Sequence, residues 1–150
     1  MADFNTKAFD TQDALVAALK AEPALSEWTI DYGIPAGRPQ EQHIWVDETV
    51  ENWTQDTATT GLVSKNEGFT LALYIYDKRT GATAQELRDE IKAAASIISD
   101  VIGSSPFLGG VVLLAQIVGA SYEGAFADPE GRSREGVMKL NIGCQAFITS

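Results

Sequence analysis

The chain has one cysteine, one histidine and few positive charges, and each shortage excludes something. A lone Cys144 cannot close an internal disulfide and fits a reducing compartment. With His43 as the only histidine, there is no zinc-ligand spacing. Lys and Arg number 11 against 21 Asp and Glu, a formal net charge of -10. That balance argues against nucleic-acid binding as the main role, because phosphate contacts need Lys and Arg. It also weakens attraction to anionic membranes. No apolar run approaches the ~20 residues of a membrane span. The start, Met1-Ala2-Asp3-Phe4, lacks a signal-peptide pattern. The expectation is a soluble protein, cytoplasmic or assembled into something in the cytoplasm.

What is present is enough for one domain: 150 residues, 45% of them hydrophobic. The organising stretch runs from Thr83 to Gly103. Thr83 and Glu86 fit a capping box, in which each side chain satisfies a backbone N–H left over by helix geometry. Leu87, Ile91, Ala94, Ala95, Ile98, Val101 and Ile102 then recur at three- and four-residue steps, one face of a helix. Gly103 and Pro106 end it. A stripe that long needs a sheet or another helix to cover it.

Residues 1–9 show no period and read as a loose arm. Asp10 or Thr11 can cap a short helix over about residues 12–21, apolar at Leu15, Val16 and Leu19 and stopped by Pro23. Glu27 to Tyr32 alternates as a half-buried strand, with Trp28, Ile30 and Tyr32 inward. His43 to Val50 is a second strand and Phe69 to Asp77 a third, apolar on both faces. Between them, residues 47–68 form an acidic, Thr-rich excursion around Trp53, either extended structure or a loop. Val111 to Phe126 reads as a long strand with Val112, Leu114, Val118, Ala120 and Tyr122 on one parity. Gly119 and Gly124 allow a bulge there. Gly136 to Ile148 completes the set, with Met138, Leu140, Ile142, Cys144, Ala146 and Ile148 on one face. These last two strands pair antiparallel around a turn at 127–135. The order α-β-β-β-α-β-β predicts an α+β two-layer sandwich. It has a mainly antiparallel sheet of about five strands and two helices on one face.

Chemistry is sparse. There is no Walker loop and no dinucleotide fingerprint. His43 reads as a strand-face residue rather than a ligand or base. Cys144 falls on an apolar parity, which predicts a buried, unreactive thiol. The 81–83 run before the long helix is only a weak anion site. The pairs Asp47-Glu48 and Asp89-Glu90 read as solvated surface. Trp28 and Tyr32 are expected in the core. Trp45 and Trp53 either anchor a subunit contact or cover the second face of the sheet.

The order of segments resembles a known family. A short helix ending Glu22-Pro23 leads to a Trp-containing strand, and a Pro/Gly turn precedes His-Ile-Trp-Val at 43–46. A long polar excursion leads to Phe-Thr-Leu-Ala-Leu-Tyr-Ile-Tyr at 69–76. A helix then begins Thr-Ala-Gln-Glu-Leu at 83–87, before a two-strand finish. This is similar to the tail terminator, or tail-completion, proteins of long-tailed bacteriophages and the related minor tail and neck proteins. The likeness lies in element order and length over nearly the whole chain.

The resemblance implies a virion structural protein that forms a homohexameric ring on the head-proximal end of the tail tube. It would stop tube polymerisation and dock to the head connector, and it would be assembled in the host cytoplasm. DNA would pass through the ring without specific binding, and an acidic lumen suits that passage. The partners implied are further copies of the chain, the tail tube protein and the connector or neck protein. No membrane, cofactor or metal is implied, and no catalytic residues carry over. Contacts are expected at the 47–68 excursion and the 127–135 turn, with Trp45, Asp47, Glu48, Glu51, Trp53, Asp56, Arg79, Arg132 and Arg134 as interface candidates. The alternatives are a neck or head-completion protein of the same ring-forming kind and, from another class, a small acidic enzyme or ligand-binding domain.

Overall fold

The computed structural model describes residues 5–37, 39, 41–57 and 64–149. Helix α1 (Ala8–Lys20) is followed by strands β1 (Thr29–Tyr32), β2 (Gln42–Thr57) and β3 (Ser64–Thr80). Helix α2 (Ala84–Ser104) and strands β4 (Leu114–Phe126) and β5 (Ser133–Thr149) complete the order. The five strands form one sheet in the order β1-β2-β3-β5-β4. Only β1 runs parallel to its neighbour, and the other pairings are antiparallel. The α+β sandwich with two helices on one face of a mainly antiparallel sheet is what is observed.

Alternation decides the layers. Leu71, Leu73 and Ile75 of β3, Leu140, Ile142 and Cys144 of β5, and Ile44 and Val46 of β2 point to the helix side and are buried. Leu87, Ile91, Ala94, Ile98 and Ile102 of α2 close over them, and Leu15 and Leu19 of α1 complete the same cluster. Each large aliphatic side chain buried there contributes on the order of 1.5–3 kcal/mol before entropy is subtracted. The capping box is formed: the Glu86 backbone N–H donates to Thr83 Oγ1 at 3.1 Å, and the Thr83 N–H to Glu86 Oε1 at 3.3 Å.

Three details differ from the sequence expectations. Tyr32 is not in the core: it is 48% exposed and donates its hydroxyl to Gln12 Oε1 at 3.2 Å. It stands at the end of β1, where it meets α1 through the polar side chain of Gln12. Trp28 lies just before β1 and packs half-buried against the core. The bulge that Gly119 allows is present, between Ile117 and Gly119, and it breaks the single parity expected along β4. Before the bulge, Ala115 and Ile117 face the helices; after it, Ala120 and Tyr122 do, because their partners Leu140 and Met138 lie on that side. Leu114 and Val118 therefore look to the other face.

The excursion at 47–68 is strand over Asp47–Thr57 and from Ser64 onward; residues 58–63 of it lie outside the described residues. Two register shifts, between Val46 and Val50 and between Glu51 and Thr54, insert extra residues on the β2 side. Asn52 takes a left-handed φ of 51° at the second, a conformation asparagine tolerates better than most. The shift turns Trp53 and Gln55 to the helix side. Of the arm at residues 1–9, residues 1–4 lie outside the described residues, and residues 5–7 lead into α1, with Thr6 and Lys7 donating hydrogen bonds to Glu67 of β3.

Thr83→Ala should cost about 1 kcal/mol of stability. Thermal unfolding would then show a melting temperature lower by roughly 2–4 °C.

Candidate functional site

The described residues do not bring the obvious reactive side chains together. Cys144 pairs with Phe69 on the helix side of the sheet, and its thiol is pushed up to about 12 by burial. His43 pairs with Tyr76 on the opposite side. The sheet lies between them, so no Cys–His dyad forms. His43 is buried at the helix-free face, with Nε2 2.7 Å from Asp31 Oδ2 and its ring edge-on to Trp45. Trp45 is 8% exposed and stacks on Tyr74 with centroids 5.3 Å apart. Among the described residues its indole Nε1 has no hydrogen-bond partner, and neither has Asn141 Oδ1 on the same face. Trp45 thus covers part of the second face of the sheet rather than standing out from it.

Trp53 packs edge-on against Phe9 and donates Nε1–H to Glu67 Oε2 at 2.7 Å. Glu67 is a residue that alternation alone did not single out. It is 1% exposed and accepts four hydrogen bonds. The donors are Thr6 Oγ1, the Lys7 backbone N–H at the start of α1, Trp53 Nε1 and Gln55 Nε2. Burial alone would raise its pKa, but these donors outweigh it and hold the carboxyl below its ordinary value. This one carboxylate ties the entry of α1 to the stem of the β2–β3 hairpin. The sequence signal was slight: an acid between Asn66 and Gly68 on the parity of Phe69.

Asp77 is the second buried acid. It is fully buried at the other end of β3, and burial raises its pKa, the Arg79 guanidinium 3.4 Å away opposing the rise and Glu90 adding to it. The Lys78 backbone N–H also favours the ionised form, without offsetting the burial. Arg79 also reaches Glu90 at 3.1 Å, so it is engaged within the subunit.

The remaining candidates segregate by charge across the sheet. Asp47, Glu48, Glu51 and Asp56 lie on β2, towards one edge. Glu48, Asp13 and Asp47 are close enough to Tyr32 to add to the rise that burial gives its phenol pKa. Glu51 is 3.6 Å from Lys139, while Asp47, Glu48 and Asp56 have no ion pair among the described residues. Arg132 and Arg134 lie on the opposite side, at the β4–β5 turn. Arg134 sits over the Phe126 ring, 4.3 Å from its centroid, and neither arginine has an ion pair among the described residues. Beside them, Arg88, Tyr122, Arg134 and Glu135 line a groove of about 220 Å³ between the start of α2 and β4. Asp56 pairs with Asn66 and Arg134 with Arg79, positions separated by most of β3, roughly 40 Å along the strand. Acidic and basic patches of one subunit therefore cannot meet each other.

No protein-family model and no curated protein matches the chain. Among solved structures, the fold is similar to a chain described as part of the virion of a native gene transfer agent particle. The TM-score is 0.56 at 15% identity, covering 95% of this chain and 100% of that one.

Two buried acids give opposite pH behaviour. The Glu67 contribution is present above the unfolded carboxyl value of about 4.3 and is lost as pH falls through the lower folded value. Glu67→Gln should cost about 1 kcal/mol or more at pH 7, and melts taken down a pH series should show the gap closing below about pH 4. The raised Asp77 behaves in reverse: its contribution is complete below about 3.9 and is lost as pH rises through the folded value. Asp77→Asn should therefore raise the melting temperature at pH 7, with the gain shrinking on acidification.

Proposed function

We propose that this chain is a structural protein of a phage-like virion, and specifically a ring-forming tail terminator. Copies of the chain would close a hexameric ring on the head-proximal end of the tail tube. The ring would stop tube polymerisation and dock to the head connector. The observation that carries the reading is the full-length likeness to a chain of a gene transfer agent virion, extending over the whole of both chains within a few residues. The charge layout supports it physically. A ring is built by a head-to-tail contact that closes by rotation, and such a contact joins two different patches of the subunit. Asp47, Glu48, Glu51 and Asp56 supply one patch and Arg132 and Arg134 the other.

Trp45 and Trp53 take supporting parts in this reading. Their rings are turned into the subunit and hold the stem of the hairpin that carries the acids. Arg79, paired with Asp77 and Glu90, braces the end of β3 that faces the arginine turn. DNA would pass through the ring without specific binding, kept from sticking by the net charge of -10.

The double substitution Arg132→Glu with Arg134→Glu tests this. Neither side chain belongs to the core cluster, so circular dichroism of the monomer should be unchanged and the melt should lose no more than about 1 kcal/mol, the worth of the Arg134–Phe126 contact. Assembly of rings and particles, counted by electron microscopy, should fall sharply. In lysates lacking the protein, overlong or headless tails mark a terminator, and filled heads that leak DNA mark a neck protein. Normal particles with the double variant would remove the arginines from the contact.

A further inference from the structure

Strand β4 is an open edge that the fold does little to protect. Among the described residues it pairs with β5 on one side only; the Ala115 N–H is taken by the Pro106 carbonyl at 2.7 Å, and beyond it, from Gln116 to Phe126, no strand lies along the outer edge. Natural edge strands are blunted by charge, proline, shortness or bulges. This one is 13 residues long, lacks proline and has one charged residue, Glu123, with a single bulge at its centre. Its large apolar side chains are exposed: Val118 at 56%, Phe126 at 55% and Tyr122 at 37%. The bulge places Val118 on the helix-free face and Tyr122 on the helix side. A strand laid along this edge would find apolar cover on both faces.

We infer that the β4 edge seats the outer edge of β2 from a second copy of this chain, continuing the sheet from subunit to subunit. This rests on the assembly reading above and names its contact. On the far side of the sheet, β1 pairs with β2 only over His43–Val46 and leaves the outer edge of Asp47–Thr57 without a strand partner. That stretch carries Asp47, Glu48, Glu51 and Asp56 and no basic residue; Gln12 of α1 holds the Asp47 and Glu48 carbonyls at 3.0 and 3.4 Å, and past them Val50–Thr57 is open to a partner strand. The β4 edge is flanked by Arg134 and Arg88 across the groove that Tyr122 lines. Opposite signs thus meet when the two different edges join.

Native mass spectrometry and light scattering across a concentration series test the seat, with Val118→Lys compared against wild type. The lysine is added at an exposed site, so the melt should be unchanged, while self-association weakens tenfold or more. Cysteines placed at Gln116, Ser121 or Glu123 in one preparation are mixed with cysteines at Glu48, Glu51 or Asp56 in another, then treated with a thiol-specific bismaleimide. Mixed cross-linked pairs are expected. Cross-links only between β4 cysteines overturn the seat, as does wild-type protein that stays monomeric to about 1 mM. Rings that form normally with Val118→Lys and give no mixed cross-link overturn the seat but leave the assembly reading standing. Particles with the Arg132→Glu, Arg134→Glu pair judge that reading separately.

Discussion

The unbroken pairing of β3 with β5 is the constraint on which the molecule depends. Its register runs from Ser64 opposite Thr149 to Thr80 opposite Ser133 without a shift. A one-residue slip would turn Leu71, Leu73 and Ile75 away from α2 and α1, so the alternation of buried residues holds the register in place. That long ladder, about 55 Å at the strand rise, sets the two ends of the subunit. One end carries the β2–β3 hairpin and the other the β4–β5 turn.

Irregularities are confined to the outer strands. Both shifts in β2 and the bulge in β4 lie on the flanks of the central pair. In β2 they follow the point where β1 stops, and they re-aim Trp53 and Gln55 towards Glu67. In β4 the bulge puts Val118 and Tyr122, which plain alternation would keep together, on opposite faces. A bulge keeps pairing on one side while redirecting side chains. The central sheet can therefore stay regular while its margins present chosen groups.

The two buried acids show how a chain that is acidic throughout uses carboxylates differently. Glu67 is surrounded by donors, and its charge is stabilised by hydrogen bonds that also organise the arm and hairpin. Asp77 has the Arg79 guanidinium and the Lys78 backbone N–H near it, but Glu90 works against them and desolvation wins. The first strengthens the fold at neutral pH. The second is tolerated at a place where Arg79 and Glu90 link β3 to α2.

Much of the architecture was legible in the order of residues. The spacing of Leu87, Ile91, Ala94, Ile98 and Ile102 marked α2, and Thr83 with Glu86 marked its start, because helix periodicity and capping are local properties. The alternation in 69–77 and 136–148 marked the central strands for the same reason. The burial of Cys144 followed from its parity. What only the tertiary structure decided involves partners far apart along the chain. Glu67 meets Thr6 across the fold, Tyr32 reaches Gln12 of α1 with its ring half exposed, and the ladder with β5 decides that the bulge Gly119 allowed is formed and turns Tyr122 to the helix side. The separation of acids and arginines to opposite sides likewise follows from strand order, a long-range property that no local pattern encodes.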